Sequence, residues 1–170
     1  TSVPTGTTQD LFRCAYGAGT YVIVGAGGFE LYSTNGTTWT GQIVAGGGGV
    51  TANDIVFANG KFVWVSDAGA TIRTSSDGIT WTAQTNPLNT ALNSVTFANG
   101  RFVALIRGNT LYLTSSDGIA WTIAQHGCAN TLNDLVPFAG TILAVGNSGS
   151  ILAAPPVPVI ASQPSTQNFA

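Results

Sequence analysis

IVFANGKFVWVS, residues 55–66, returns forty residues later as VTFANGRFVALI, residues 95–106. Each copy sets Asn-Gly between two apolar, β-branched runs. Asn and Gly tolerate the two positive φ angles of a type I′ turn, so each stretch predicts a tight antiparallel hairpin. Looser copies begin at Cys14 (CAYGAGTYVIVG) and Leu135 (LVPFAGTILAVG), which gives offsets of 41, 40 and 40 residues. A unit of about 40 residues therefore recurs four times, near 10–50, 51–90, 91–130 and 131–154.

The remainder of the unit is also β in texture. A Gly-bearing turn follows the hairpin (Asp67-Ala68-Gly69, Gly108-Asn109), then a third run, ATIRTS or TLYLTS. The unit closes on TSSDGITWT (74–82) or TSSDGIAWT (114–122), foreshadowed by YSTNGTTWT (32–40). No segment carries the 3.6-residue period of an amphipathic helix. Each unit reads as a four-stranded antiparallel meander, and a lone meander cannot cover both of its faces. Stacked about an axis, about four such units predict an all-β fold, a β-propeller.

SSDGITW (75–81) and SSDGIAW (115–121) resemble the Asp-box, or BNR, repeat of sialidase-type β-propellers, and STNGTTW (33–39) resembles it with Asn35 at the Asp position. The resemblance implies a turn between third and fourth strands, on the rim and away from the substrate-binding end. Ser33, Asn35, Trp39, Ser75, Asp77, Gly78, Trp81, Ser115, Asp117, Gly118 and Trp121 are then structural. Ser and Asp oxygens accept turn N–H groups, Gly supplies left-handed φ, and the Trp enters the gap between sheets.

The fourth unit runs out after three strands, at GSILAAPP, with no Trp to follow. Residues 1–9 stand where an outermost strand would lie and are expected to complete that blade, closing a small ring. The rival is an open half-ring that pairs with a second copy or needs further blades. Closure would make the first and fourth units neighbours and permit a Cys14–Cys128 disulfide; otherwise Cys14 is a buried thiol and Cys128 incidental.

Composition excludes several classes. Charged residues are only 7%, the net charge is −2, and one Lys with four Arg cannot neutralise a run of phosphates, which argues against nucleic acid. No apolar run approaches the roughly 20 residues that span a bilayer, so no membrane insertion is expected. The Thr/Asn/Gly-rich, low-charge texture resembles bacterial cell-surface and phage proteins, pointing to an extracellular, cell-surface or virion setting. The chain lacks Met and reads as part of something longer.

In a repeat protein the positions that depart from the consensus are the better functional candidates. Asn53-Asp54, Asn93-Ser94 and Asn133-Asp134 stand at the entrance of the inner strands, where oxygen atoms could meet a cation or sugar hydroxyls, or cap loops. Trp64 is a core residue or a stacking platform; Arg73 and Arg107 grip a carboxylate or solvate strand ends; Arg13 and Tyr112 also depart. His126 is the only histidine and has no ligand-spaced companion, so neither metal nor cofactor is expected. AGGGGV (45–50) has no Lys and precedes no helix, so it is a loop and not a phosphate cradle. A glycosidase needs two placed carboxyl groups, and a sialidase an arginine triad with a tyrosine–glutamate pair; the sole glutamate, Glu30, lies in a strand. The expectation is a non-catalytic module that binds glycan, protein or copies of itself, against a fragment of a glycan-processing enzyme or a purely architectural subunit. PPVPVIASQPSTQNFA (155–170) reads as a Pro-rich arm or linker, and PVIASQPSTQ weakly resembles the opening strand of bacterial immunoglobulin-like domains.

Overall fold

The computed structural model describes residues 3–44, 49–67, 71–138 and 141–154. It is a β-propeller of four antiparallel sheets, each a meander of sequence-adjacent strands. Sheet one holds β1 (Leu11–Gly17), β2 (Thr20–Gly25), β3 (Phe29–Ser33) and β4 (Thr40–Ile43). Sheet two holds β5 (Ala52–Ala58), β6 (Lys61–Ser66), β7 (Ile72–Ser75) and β8 (Thr82–Gln84). Sheet three holds β9 (Leu92–Ala98), β10 (Arg101–Ile106), β11 (Leu111–Ser115) and β12 (Thr122–Gln125). Sheet four has three strands among the described residues: β13 (Leu132–Phe138), β14 (Thr141–Gly146) and β15 (Ile151–Ala154).

The turns follow from residue type. Asn59-Gly60 and Asn99-Gly100 both adopt positive φ, at 50° and 70° and at 53° and 74°, as the type I′ geometry demands. Sheet one makes the same turn with Ala18 at 48° and Gly19 at 78°, so the cost of an alanine in the left-handed region is accepted there.

The core lies in layers between sheets. Val22, Val24, Phe62 and Trp64 fill the gap between sheets one and two; Val63, Val65, Ile72, Val95, Phe102 and Trp121 fill the next. Ala98, Val103 and Ile142, with Leu105, Leu132 and Ala144, fill the third. The inner strands pack in chain order, β1 on β5, β5 on β9 and β9 on β13, while no packing of that extent joins β13 back to β1. The four sheets form an open arc.

Two expectations are corrected here. Residues 3–9 form no strand and do not complete sheet four. Pro4 has no N–H to offer a ladder, Gly6 turns the chain at φ 68°, and Thr7 Oγ1 draws the Gln9 N–H into a local bond at 3.0 Å. Cys14 and Cys128 are free thiols, not a disulfide. An open arc leaves Cys14 exposed on the outer face of sheet one, while Cys128 packs near Leu105 and Leu132 between sheets three and four. The Pro-rich tail and most of the glycine run lie outside the described residues.

Candidate functional site

The four units place different residues at one equivalent position near the start of the inner strand: Arg13, Asp54, Ser94 and Asp134. The arc brings them into a connected row. Arg13 Nε lies 3.7 Å from Asp54 Oδ1. Ser94 Oγ lies 2.8 Å from Asp54 Oδ2 and 3.0 Å from Asp134 Oδ1. Asp54 also accepts the N–H groups of Ile55 and Val95, each at 2.9 Å, and Asp134 accepts that of Leu135 at 2.9 Å.

Proton accounting gives this row its chemistry. A serine hydroxyl has one hydrogen and can donate to one carboxylate at a time. Its second close contact is attractive only when one of the two carboxyl groups carries a proton. Burial raises the pKa of Asp54, against the opposing N–H bond from Val95, the Ser94 hydroxyl, the Ile55 N–H and the Arg13 charge. The row is acidic in its middle and far end, cationic at its near end, and exposed at both ends through Arg13 and Asp134.

Asn53 and Asn133 serve the frame: Asn53 Nδ2 donates to the Leu92 carbonyl at 2.7 Å and Asn133 Nδ2 to Asn147 Oδ1 at 2.9 Å. Asn93 is half-buried in the same strand end. Trp64 is core, 1% exposed. Arg73 solvates no strand end: it is buried, and its guanidinium lies 5.6 Å over the Trp64 ring as a cation–π pair. Tyr112 packs between sheets three and four beside Leu135, and Arg107 is exposed. His126 is buried with neither ring nitrogen bonded.

Glu30 is the site residue that strand alternation alone did not reveal. It is fully buried between sheets one and two. Gln42 Nε2 donates to its Oε1 at 2.9 Å and also to the Ile79 carbonyl at 2.7 Å. Burial pushes its pKa up to about 8; Gln42 and the nearby Trp81 indole pull it down, and Asp77 pushes it up again. Its Oε2 has no partner in bonding geometry, nor have Trp64 Nε1, Arg73 Nε and Trp81 Nε1 around the same interface.

The repeated turn is built as its residue types dictate. Ser75 Oγ accepts the N–H of Gly78 at 2.8 Å, and Asp77 Oδ1 accepts those of Ile79 and Thr80, both at 2.8 Å. Ser115 and Asp117 repeat this on Gly118, Ile119 and Ala120, and Ser33 and Asn35 on Gly36, Thr37 and Thr38. Burial would raise the Asp77 pKa, yet the Thr80 and Ile79 N–H bonds and the Ser75 hydroxyl hold it at about 2. Trp121 seals its own turn by donating from Nε1 to the Gly118 carbonyl at 3.0 Å.

The turns of sheets two and three each clasp the preceding sheet. Gln42 of sheet one reaches the Ile79 carbonyl, while Asn59 and Lys61 of sheet two reach the carbonyls of Ser116 and Asp117. A Cβ on Gly78 would stand 2.6 Å from Val22 Cγ2, whereas one on Gly36 finds its nearest atom at 3.8 Å. Both glycines have positive φ, 76° and 73°. Gly36→Ala is therefore expected to cost about 1 kcal/mol and Gly78→Ala about 2–4 kcal/mol in urea unfolding, the excess being overlap with the neighbouring sheet. Equal losses would show that the turn does not dock.

A groove of about 340 Å³ lies beside these turns, lined by Lys61, Thr74, Ser75, Ser76, Thr80, Thr82, Gln84 and Ile119. It holds no carboxylate and no aromatic ring, so it offers hydroxyl and amide contacts without a stacking surface. Among the described residues no group of three or more His, Cys, Asp or Glu side chains could hold a metal ion, and no helix is long and apolar enough to cross a membrane.

No family model and no curated protein matches the chain. Solved structures match it in fold alone. YCF48 from Cyanidioschyzon merolae is 15% identical with a TM-score of 0.65, over 87% of this chain and 54% of that one. The Neurospora crassa Pan2 WD40 domain is 9% identical with a TM-score of 0.69, over 88% and 47%. The computationally designed Ika4 protein is 13% identical with a TM-score of 0.66, over 91% and 96%. The chain thus spans about half the length of the first two and nearly all of the third.

Proposed function

We propose that this chain is a non-catalytic propeller module that binds a partner, protein or glycan, at the mouth of its channel, within an extracellular bacterial or phage-associated assembly. The observation that carries this reading is the row Arg13–Asp54–Ser94–Asp134. Four units that share a frame carry Arg, Asp, Ser and Asp at this inner position, and the row ends in two exposed, oppositely charged groups. The inner carboxylates are engaged with backbone N–H groups and one hydroxyl, an arrangement suited to fixed recognition and not to the freely paired acid and base of glycoside hydrolysis. A protein partner has a parallel in the fold: a YCF48 structure of TM-score 0.50 is bound to D1 peptide.

Peptide and glycan arrays probed with the purified chain test this, with a glycoside hydrolysis screen alongside. A hit weakened about tenfold or more by Arg13→Ala or Asp134→Ala is expected, a loss typical of one buried or charged contact. Turnover abolished by Asp54→Asn would overturn the non-catalytic reading, and hits indifferent to all three changes would move the site elsewhere.

A further inference from the structure

We propose that a second copy of this chain closes the arc, head to tail, into a ring of two chains. Sheet four presents Val136, Phe138, Val145 and Ile151 to solvent, at 50%, 71%, 44% and 72% exposure. They alternate along the strands with Leu135, Ile142 and Ala144, which pack on sheet three. Val145 pairs with Ile151 as Val65 pairs with Ile72 in sheet two. Val65 and Ile72 are both 0% exposed because sheet three covers them. The exposed face of sheet four is therefore the face that, in the interior of the arc, receives the next sheet.

Sheet one leaves the inner strands of its complementary face open, while Leu31 and Ser33 on the outer part of that face are buried. Cys14, Tyr16 and Tyr21 occupy the positions that Leu135, Pro137 and Ile142 hold in sheet four, by the strand registers. In sheet four that side docks on its predecessor; in sheet one Cys14 is exposed, and Tyr16 and Tyr21 are 58% and 40% exposed, their rings tilted at 41° with centroids 4.4 Å apart. Four contiguous large apolar side chains on one end and an aromatic pair on the other mark association surfaces.

Charge selects the pairing. The row at the start of the inner strands runs Arg, Asp, Ser, Asp and stops with Asp134 exposed. The next position in a continued ring would be the Arg13 of another copy, which would meet Asp134 as Arg13 meets Asp54 within the chain at 3.7 Å. Two copies joined by both ends satisfy this twice and leave no end free, the closed form of a heterologous contact. The half-length match to YCF48 and the Pan2 domain is consistent with an arc that spans half of a larger propeller.

Native mass spectrometry and sedimentation equilibrium of the full chain test the ring. Twice the chain mass is expected, with no larger species. Phe138→Asp should weaken the dimer at least about tenfold, as loss of a buried aromatic anchor does, and yield a monomer with unchanged β circular dichroism. Ile119→Asp, on an exposed turn away from both ends, should leave the mass doubled. Asp134→Arg should dissociate the dimer more at low salt than at high salt. A wild-type monomer at high concentration would overturn the proposal, as would a ladder of trimers and longer forms. Arg13 and Asp134 serve both readings, so the mass of the wild-type chain separates them: a wild-type monomer that still binds peptide or glycan sinks the ring and leaves the ligand reading standing.

Discussion

A Glu30→Gln variant is expected to be more stable than the parent at pH 9 by about 2–4 kcal/mol, and indistinguishable or slightly weaker at pH 4. The folded chain holds the Glu30 proton up to about pH 8, whereas the unfolded chain releases it near its ordinary value of 4.5. Between those values the native state binds more protons than the unfolded one, so stability falls as pH rises. The contribution is fully present below pH 4.5 and is lost by the time pH passes about 8. A shift of this size corresponds to roughly 4–5 kcal/mol, and the smaller figure for the variant allows for the cost of burying an amide that satisfies only part of its bonds. The discriminating observation is the slope. Denaturant unfolding at pH 5, 6, 7, 8 and 9 should show a parent–variant difference that grows steadily and levels off. Asp54, also raised, is present in both proteins, and Asp77, held at about 2, stays ionised across this pH range. A difference independent of pH would mean that Glu30 is solvated.

Trp64→Ala is expected to cost about 3–5 kcal/mol, the usual range for deleting a buried large aromatic. The repeat argues the opposite, because the equivalent residues in sheets three and four are Ala104 and Ala144. The structure explains the discrepancy. Trp64 is 1% exposed, meets Trp81 edge-on at 6.2 Å, and supplies the ring beneath the Arg73 guanidinium, which has no acceptor for its Nε. Truncation removes the ring and leaves a buried cation with neither π face nor anion. Trp64→Ala combined with Arg73→Leu, the residue type at that position in sheet three (Leu113), should recover 1 kcal/mol or more of the loss. Additive losses in the double variant would show that the two side chains are uncoupled.

The frame was legible because its signals are local. Asn59-Gly60 and Asn99-Gly100 announce their hairpins through φ alone, and Ser75 with Asp77 can satisfy turn N–H groups only in one compact arrangement. The repeat places Asp54 and Asp134 at the entrance of the inner strands, and the arc does bring them to one serine. What depends on the third dimension was hidden. Glu30 sits beside Leu31 in a strand buried on both faces, so no alternation marks its side, and the packing of sheet two onto sheet one buries it. The link from Arg13 to Asp54 crosses 41 residues and two sheets. Arg73 resembles a strand-end arginine until Trp64 is seen beneath it. Residues 3–9 form no closing strand, and the local reason is Gly6, whose φ of 68° turns the chain out of the extended region. Once the arc is open, the cysteine pairing loses its geometric basis.

The order in which the sheets lean on one another has a consequence for synthesis. Among the described residues, the extensive packing of each sheet is against those just before and after it in the chain. As the polypeptide leaves the ribosome from its amino end, every new meander finds its docking surface already formed, and none must wait for a distant segment. For these four sheets, birth order and burial order coincide.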